Sequence, residues 1–432
     1  MLPLMQKSTN LSKKKLIKNV VIILITSTLP ACDKTPSEHL HALTEDKYPV
    51  ANMPDEPLET PLEINIEPKR LAMTSSWSAG VKDDGTLWTW GTDGLLRDTK
   101  TGQDPTPRQV EGVNDAVAVS GGSGHMLLLR KDGTVWGWGS NSHGEIDPND
   151  EDTFIEELRE IKGIENVIGI SAGTQVSFFI SNEKDVFVLG NNEYGVLSTD
   201  KDKILNKPTR IKGLRSIVKI LGGADSFLAL NVEGDLYSSA SSSHSLGKEN
   251  VKALVTETGK KYYPVTRIEL KKRIVDFDYS YANLALLENG EVWSWRDTNY
   301  TGSGKSKDSF IFTPTRILGL SKVNKVNAFS VNTNDGDLYL WGLSTTKCEK
   351  CSNEGNSSYF YQPVLISNNI KINQFADSFS STAYIDDNGY AWFFGNNRHG
   401  EKGTGEVQTD EYITEEKLLV PEKSLFNIYA NR

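Results

Sequence analysis

Short hydrophobic runs alternate with glycine-containing turns along residues 70 to 432. Two examples are Ala116-Val117-Ala118-Val119 and Met126-Leu127-Leu128-Leu129, which a glycine-rich break separates. Such runs are too short for ordinary helices and have the length of strands in a sheet. The pattern therefore predicts an all-β structure for this part of the chain.

One short unit recurs through this region: a small or acidic residue, glycine, any residue, an aliphatic, an aromatic, any residue, an aromatic and glycine. Residues 84–91 and 132–139 are nearly identical copies, each with Asp-Gly followed by Trp-x-Trp. Weaker copies follow at residues 184–190, 233–240, 289–296, 335–342 and 388–395. Asp-Gly supplies the positive φ of a tight hairpin, and Trp-x-Trp places two indoles on one face of the next strand. Seven copies predict seven β units.

A second signal keeps the same period. Proline, often followed by Thr-Arg-Ile or Val, recurs at residues 107, 208, 264, 314 and 363. One unit makes a small sheet that cannot bury its hydrophobic face alone, whereas seven units around an axis bury every face. The prediction is a seven-bladed β-propeller at residues 69–432. Taking the proline as the start of each unit, we also expect the C-terminal run at residues 425–430 to complete the first blade.

The units resemble the repeats of the regulator of chromosome condensation family. The second unit carries the resemblance best, with Gly124-His125-Met126-Leu127-Leu128, then Asp132-Gly133, Trp136 to Gly139, Asn141 and Gly144. The resemblance covers about residues 70 to 432 and implies a seven-bladed propeller. The founding member binds chromatin and drives nucleotide exchange on a small GTPase. Neither activity is expected of this chain, because it is acidic and predicted to be exported.

The N-terminal segment and the net charge indicate the compartment and the kind of partner. Five lysines and no acids precede residue 32, and a short apolar run, Val20 to Ile25, follows them, as in a cleavable export signal at residues 1–31. The run is shorter than the roughly 20 residues that span a bilayer. Residues 32–432 carry 42 basic and 57 acidic groups, a formal charge of −15. A chain without a basic surface is not expected to bind nucleic acid.

Residues 29–32, Leu-Pro-Ala-Cys, resemble a bacterial lipobox, which implies lipid attachment at Cys32. Pro30 departs from the usual pattern, so an ordinary secretory signal is the alternative. Asp33 resembles the residue that retains some lipoproteins in the inner membrane, but inner and outer membrane stay open. Residues 32–68 contain six prolines and many acids, which indicates a solvated tether.

Five residues stand four positions after the end of a repeat signature: His143, Tyr194, His244, Tyr300 and His399. Quasi-symmetry places them at one height around the axis, where they could form a partner-binding ring. The family often has an aromatic residue there, so packing is the other interpretation. Three histidines on separate blades need not converge on one ion, and we expect no metal and no cofactor.

Cys348 and Cys351 form one Cys-x-x-Cys pair, which is half of a usual zinc set. In an oxidising envelope the simplest interpretation is a local disulfide. No carboxylate pair and no Ser, His, Asp set stands out at a recognisable spacing.

The sequence therefore predicts a membrane-anchored interaction module that binds an envelope or extracellular protein, with no small GTPase as partner. Two alternatives are an inhibitor that caps an enzyme and a hydrolase or lyase acting at the axis. An enzyme should show carboxylates or histidines with shifted pKa values around the axis, whereas an interaction module should show variable loops on one face.

Overall fold

The computed structural model describes residues 67–92, 103–197, 204–304, 310–342, 344–345, 358–378, 381–395, 397–408 and 420–429. The predicted export signal, most of the predicted tether, Cys32, Cys348 and Cys351 lie outside these ranges, so these predictions stay predictions. No helix in the described parts of the chain is long and apolar enough to cross a bilayer.

Seven antiparallel sheets surround one axis, and the four main strands of each follow one another in chain order. Strands are numbered in chain order. The inner strands are β1 (Leu71–Met73), β5 (Ala116–Gly121), β9 (Val167–Ala172), β13 (Ile217–Gly222), β18 (Ile274–Tyr279), β22 (Val323–Asn327) and β28 (Ile372–Asp377). The second strands are β2 (Trp77–Val81), β6 (His125–Arg130), β10 (Val176–Ser181), β14 (Ser226–Asn231), β19 (Ala282–Leu287), β23 (Ser330–Thr333) and β29 (Ser381–Asp386). The prediction of a seven-bladed propeller is confirmed.

The repeat signature falls on the third strand of each blade. These strands are β3 (Leu87–Thr92), β7 (Val135–Ser140), β11 (Val186–Asn191), β15 (Leu236–Ala240), β20 (Val292–Asp297), β24 (Leu338–Leu340) and β30 (Tyr390–Gly395). The turn before the strand needs a positive φ, which is 85° or less at Gly85 and Gly133. Lys184 adopts the same left-handed conformation, with φ of 62°, where its copy of the signature lacks glycine.

The outer strands carry the prolines. They are β4 (Gln103–Gln109), β8 (Phe154–Glu160), β12 (Ile204–Arg210), β17 (Lys261–Ile268), β21 (Phe310–Arg316), β27 (Val364–Ser367) and β31 (Glu422–Asn427). Proline has no N–H to donate, so it is tolerated on an edge strand. Short additions complete the described elements: β16 (Leu254–Val255) beside β17, the pair β25 (Ser344–Thr345) and β26 (Ser358–Tyr359), and the helix α1 (Ser243–Leu246).

The expectation that the C-terminal strand completes the first blade is wrong. β31 pairs with β30 and is the outer strand of the seventh blade, whereas β1 to β4 make a complete first blade. The error came from taking the proline segment as the start of a unit, when it is the end of one.

Side chains and isolated hydrogen bonds close the ring instead. The Phe426 ring stacks on Trp90 of the first blade at 5.2 Å between centroids. The N–H of Asp83 donates to the carbonyl of Ile428 at 2.8 Å. On the inner side, the Gln374 side chain accepts from the Arg70 N–H at 2.6 Å and donates to the Pro68 carbonyl at 3.1 Å. Both chain ends are thereby held to the same junction.

The core lies between neighbouring blades. Trp90, Trp138, Trp295 and Trp341 are fully buried. Three of these indoles donate to a carbonyl in the preceding blade: Trp90 to Glu401 at 2.8 Å, Trp341 to Tyr300 at 2.8 Å and Trp295 to Ser245 at 3.4 Å. The first Trp of each pair is only half-buried; Trp88, for example, donates to Thr86 Oγ1 within its own hairpin. Packing of the blades therefore explains why the signature keeps the second Trp.

Candidate functional site

Successive connections in an antiparallel blade alternate between two ends. The loops from inner to second strand and from third to outer strand share one end, which we call the front face. All five predicted ring residues lie in third-to-outer connections and so on this face. The tight turns of the signature lie on the opposite, back face.

His143 and His399 sit in equivalent loops that a buried glutamate organises. Each begins a His-Gly-Glu triplet, and the histidine N–H donates to the carboxylate two residues later, at 2.8 Å in both loops. The side chains of Glu145 and Glu401 are 1% exposed. These glutamates hold the loop conformation, and the two histidine rings remain half-buried beside them.

Tyr194 is 38% exposed, and Lys260 Nζ lies 4.9 Å from its ring centroid. Lys260 precedes the outer strand of the next blade. A cation over an aromatic face is weakly attractive at an exposed site. Tyr194 therefore contacts the neighbouring blade.

His244 and Tyr300 each belong to a stacked pair of aromatic rings on the front face. The His244 ring stacks on Phe310 at 4.1 Å, and Tyr300 stacks on Tyr281 at 4.7 Å. Phe310 is 47% exposed and Tyr281 is 40% exposed. We call His244, Tyr281, Tyr300 and Phe310 the aromatic patch.

Arg296 connects the aromatic patch to the axis. Its Nη1 donates to the Ser280 carbonyl at 2.7 Å, its Nη2 lies 3.5 Å from Asp225 Oδ2, and its guanidinium lies 5.4 Å from the Tyr279 ring centroid. Burial lowers the pKa of His244, and the charge of Arg296 lowers it further.

A cavity of about 290 Å³ lies along the axis between the inner strands. Its walls include Thr174 and Tyr281 near the front face and Ile168 and Val218 toward the back face. Small-molecule sites in proteins begin at about this volume. We call this space the axial cavity.

Charged side chains stand in one part of its wall. Asp278 and Asp377 line the cavity from the fifth and seventh blades, and Lys219 lines it from the fourth. Lys219 Nζ donates to Asp276 Oδ1 at 2.8 Å and to the Phe277 carbonyl at 2.5 Å. Burial alone would lower the pKa of Lys219, but the carboxylates of Asp276 and Asp278 outweigh it and raise that pKa. Lys219 is charged.

The two cavity carboxyls are harder to ionise. Burial raises the pKa of Asp278, against the opposing charges of Lys219 and Lys69. Burial and the neighbouring Asp278 raise the pKa of Asp377 to about 7, again against Lys69 and Lys219. Carboxyls with shifted pKa values in a cavity are the feature that we expected of an enzyme and not of a plain interaction module.

This group of charged residues was not predicted from the sequence. Its signal was present in two inner strands, Ile217-Val218-Lys219-Ile220 and Val275-Asp276-Phe277-Asp278, where charges interrupt runs that otherwise read as buried. A buried charge needs a partner, so such positions point to a cluster. No group of three or more His, Cys, Asp or Glu in the described ranges could hold a metal ion.

Comparison with known proteins finds one repeat match and several distant relatives. The family model for the Regulator of chromosome condensation (RCC1) repeat matches residues 116–145, which hold β5, β6 and β7. An RCC1-like G exchanging factor-like protein from Mus musculus is 22% identical over 268 residues, 57% of this chain and 57% of that protein. The E3 ubiquitin-protein ligase HERC2 of Homo sapiens is 25% identical over 310 residues, 66% of this chain and 6% of that protein. The chain thus spans little more than half of the first relative and a small part of the second.

Solved structures agree on the fold. Human WBSCR16 superposes with a TM-score of 0.64 at 17% identity, covering 79% of this chain and 94% of that one. Prp20p from Saccharomyces cerevisiae, described with its binding to Gsp1p and histones, gives 0.63 at 18% identity, covering 84% and 87%. Fold and repeats together define a seven-bladed propeller. The chain carries an RCC1 repeat at residues 116–145, resembles RCC1-like proteins in sequence and shares their fold.

Proposed function

We propose that this protein is a membrane-anchored interaction module of the bacterial cell envelope, which binds another envelope or extracellular protein through its front face. RCC1-like propellers are typically protein-interaction modules. The leader, the lipobox-like Cys32 and the acidic composition support export, anchoring and a protein partner. The small GTPase and the histones of the yeast relative are not carried over, because an exported chain would not meet them.

The aromatic patch is the observation that carries the proposal. Its four rings gather on one face, and exposed Tyr281 and Phe310 stand beside Arg296. Tyrosine and arginine are over-represented among the residues that dominate protein interfaces. The rings are already stacked, so little side-chain entropy is lost on binding.

Capture of the partner by crosslinking in the native cell, with mass spectrometry, tests the patch. The double variant Tyr281→Ala with Phe310→Ala should lose the captured protein. Phe154→Ala is the matched control, because Phe154 begins the outer strand of the second blade as Phe310 begins that of the fifth, with 42% exposure against 47%.

A partner retained by the double variant at the level of the control would remove the patch from the interface. The triple variant of His143, Tyr194 and Tyr300 to alanine then tests the wider ring predicted from the sequence. If the captured partner is an enzyme whose activity falls on binding, the module acts as an inhibitor.

Anchoring is tested at Cys32. Cys32→Ala should accumulate as unprocessed or soluble protein, since each buried lipid methylene contributes about 0.8 kcal/mol and several acyl chains hold a protein at the bilayer. Wild-type protein that is fully soluble and cleaved elsewhere would show that Pro30 directs an ordinary secretory signal.

The axial cavity favours a second candidate function, a hydrolase or lyase. Asp377, with a pKa of about 7, has the value that suits a general acid or base near neutral pH. Turnover of an envelope substrate by the purified protein, abolished in Asp377→Asn, would replace the interaction module with an enzyme. Retained turnover in that variant would exclude this carboxyl as the catalytic group.

A further inference from the structure

The axial cavity holds a charge imbalance. Three carboxyls, those of Asp276, Asp278 and Asp377, interact electrostatically in its wall. Among the described residues, two ammonium groups oppose them: Lys219, which is committed to Asp276, and Lys69, which is half-buried just before β1. Arg296 also lines the cavity, but it is paired with Asp225, which lines it too. With all groups ionised, the cluster lacks one positive charge. Burial of an unpaired charge is costly, so the molecule holds this charge back as a proton on the carboxyl pair.

The wall also offers a buried polar group without a partner among the described residues. Ser171 Oγ lines the cavity and makes no hydrogen bond to any described residue, and Ser171 is 3% exposed. Asp278 is 2% exposed, and its Oδ1 accepts from the N–H of Tyr279 at 2.7 Å. Buried polar groups are ordinarily hydrogen-bonded, so Ser171 Oγ indicates a missing polar partner in the cavity.

The remaining wall is apolar. Leu71, Ile170, Ile220 and Leu221 are among the residues that line it. An occupant that carries a cation on an aliphatic stem would satisfy both parts, because the stem leaves water for an apolar surface while the head pairs with the acids.

We propose that the axial cavity binds one ammonium or guanidinium group on a short aliphatic stem. The group can belong to a small free amine or to a lysine or arginine side chain that a partner protein inserts from the front face. The inference does not depend on the aromatic patch or on anchoring, since it concerns the inner strands alone.

Titration with n-butylammonium tests the site, followed by line broadening of the amine resonances in NMR spectra of the full exported chain. The peptide acetyl-Ala-Lys-Ala-amide is the second probe, and n-butanol is the neutral control. Wild type should bind n-butylammonium and not n-butanol. Binding of the peptide as well assigns the site to a protein side chain, and binding of n-butylammonium alone assigns it to free amines.

Asp377→Asn and Asp278→Asn should each weaken binding of n-butylammonium at least tenfold, because each removes a carboxylate from the pair. Asp335→Asn is the matched control: it makes the same change of charge at a side chain that is 62% exposed and paired with Lys322 on the back-face hairpin of the sixth blade. This control should keep the affinity within twofold of wild type.

The pH dependence of cation binding by the wild-type protein provides a third readout. Asp377 is faced by Asp278, Lys69 and Lys219, and its pKa of about 7 leaves roughly a tenth of it ionised at pH 6 and nine tenths at pH 8. A cation that needs the ionised carboxylate should therefore bind about tenfold more tightly at pH 8 than at pH 6. Affinity that is flat with pH, equal for n-butanol, or unchanged in both cavity variants would overturn the proposal.

Discussion

The third strands and the inner strands of the blades obey different constraints. In the third strands the same chemistry recurs: a buried indole reaches a carbonyl of the preceding blade from Trp90, Trp295 and Trp341. In the inner strands, by contrast, the residue type at one equivalent position varies around the ring. Around the ring it carries Ala72, Ser120, Ser171, Leu221, Asp278, Asn327 and Ala376.

The difference separates what makes the fold from what distinguishes this propeller. Packing between neighbouring blades repeats around the ring and favours one pattern on the third strands. The axial cavity needs no repetition, because the inner strands contribute different residues to a shared space. Chemistry that is particular to this protein is therefore expected where the repeat is least regular.

The largest effect is expected where the two chain ends meet. Phe426→Ala leaves a cavity beside Trp90 and Gly80 and should lower the free energy of unfolding by about 3–5 kcal/mol. Phe312→Ala, at a side chain that is 44% exposed, is the control and should cost far less. Denaturant unfolding measures both; equal midpoints would mean that side-chain packing does not close the ring.

Substitution of Asp377 in the axial cavity should have the opposite effect and stabilise the protein. The pKa of Asp377 is about 7 in the folded state and lies near 3.9 in an unfolded chain, so the folded state binds more protons between these values. Its contribution to stability is thus present below pH 4 and is lost as pH rises through 7. Asp377→Asn should therefore be more stable than wild type at pH 8, by roughly 2–4 kcal/mol, and nearly equal to it at pH 4.

Comparison of wild type with Asp377→Asn isolates the contribution of the Asp377 carboxyl. Burial lowers the pKa of His125 to about 4, which gives stability that is lost as pH falls from 6.5 toward 4. His125 is present in wild type and variant and cancels in their difference. A difference that does not change between pH 4 and pH 8 would contradict the assignment of a raised pKa to Asp377.

The smallest of these effects distinguishes the two indoles of one signature. Trp90→Phe removes a buried donor to the Glu401 carbonyl and part of a buried ring, and should cost about 2–3 kcal/mol. Trp88→Phe, on the same strand, removes a half-buried donor to Thr86 and should cost less than about 1 kcal/mol. Thermal unfolding of the pair decides whether the second indole joins the blades; equal costs would show that it does not.

Much of the architecture was readable from the chain alone. Seven signatures, each an Asp-Gly-like turn before an aromatic strand, determined seven blades, because hairpin geometry and strand alternation are local properties. The five ring residues all lie in third-to-outer connections, since equivalent positions in a repeat occupy equivalent places, but their role in binding stays a prediction. The proline was assigned to the wrong end of the unit, since a period in the sequence does not say where a repeat begins.

The tertiary structure decided the rest. Asp278 and Asp377 belong to the fifth and seventh blades and meet Lys69 and Lys219 only because the ring closes around a common axis. No spacing along the chain records that meeting, and their pKa values arise from burial, which is a property of the assembled ring. The sequence by itself determined how each blade is built and stacked, and only closure of the ring determined which charges share the axial cavity, because pairing between distant blades depends on three-dimensional proximity.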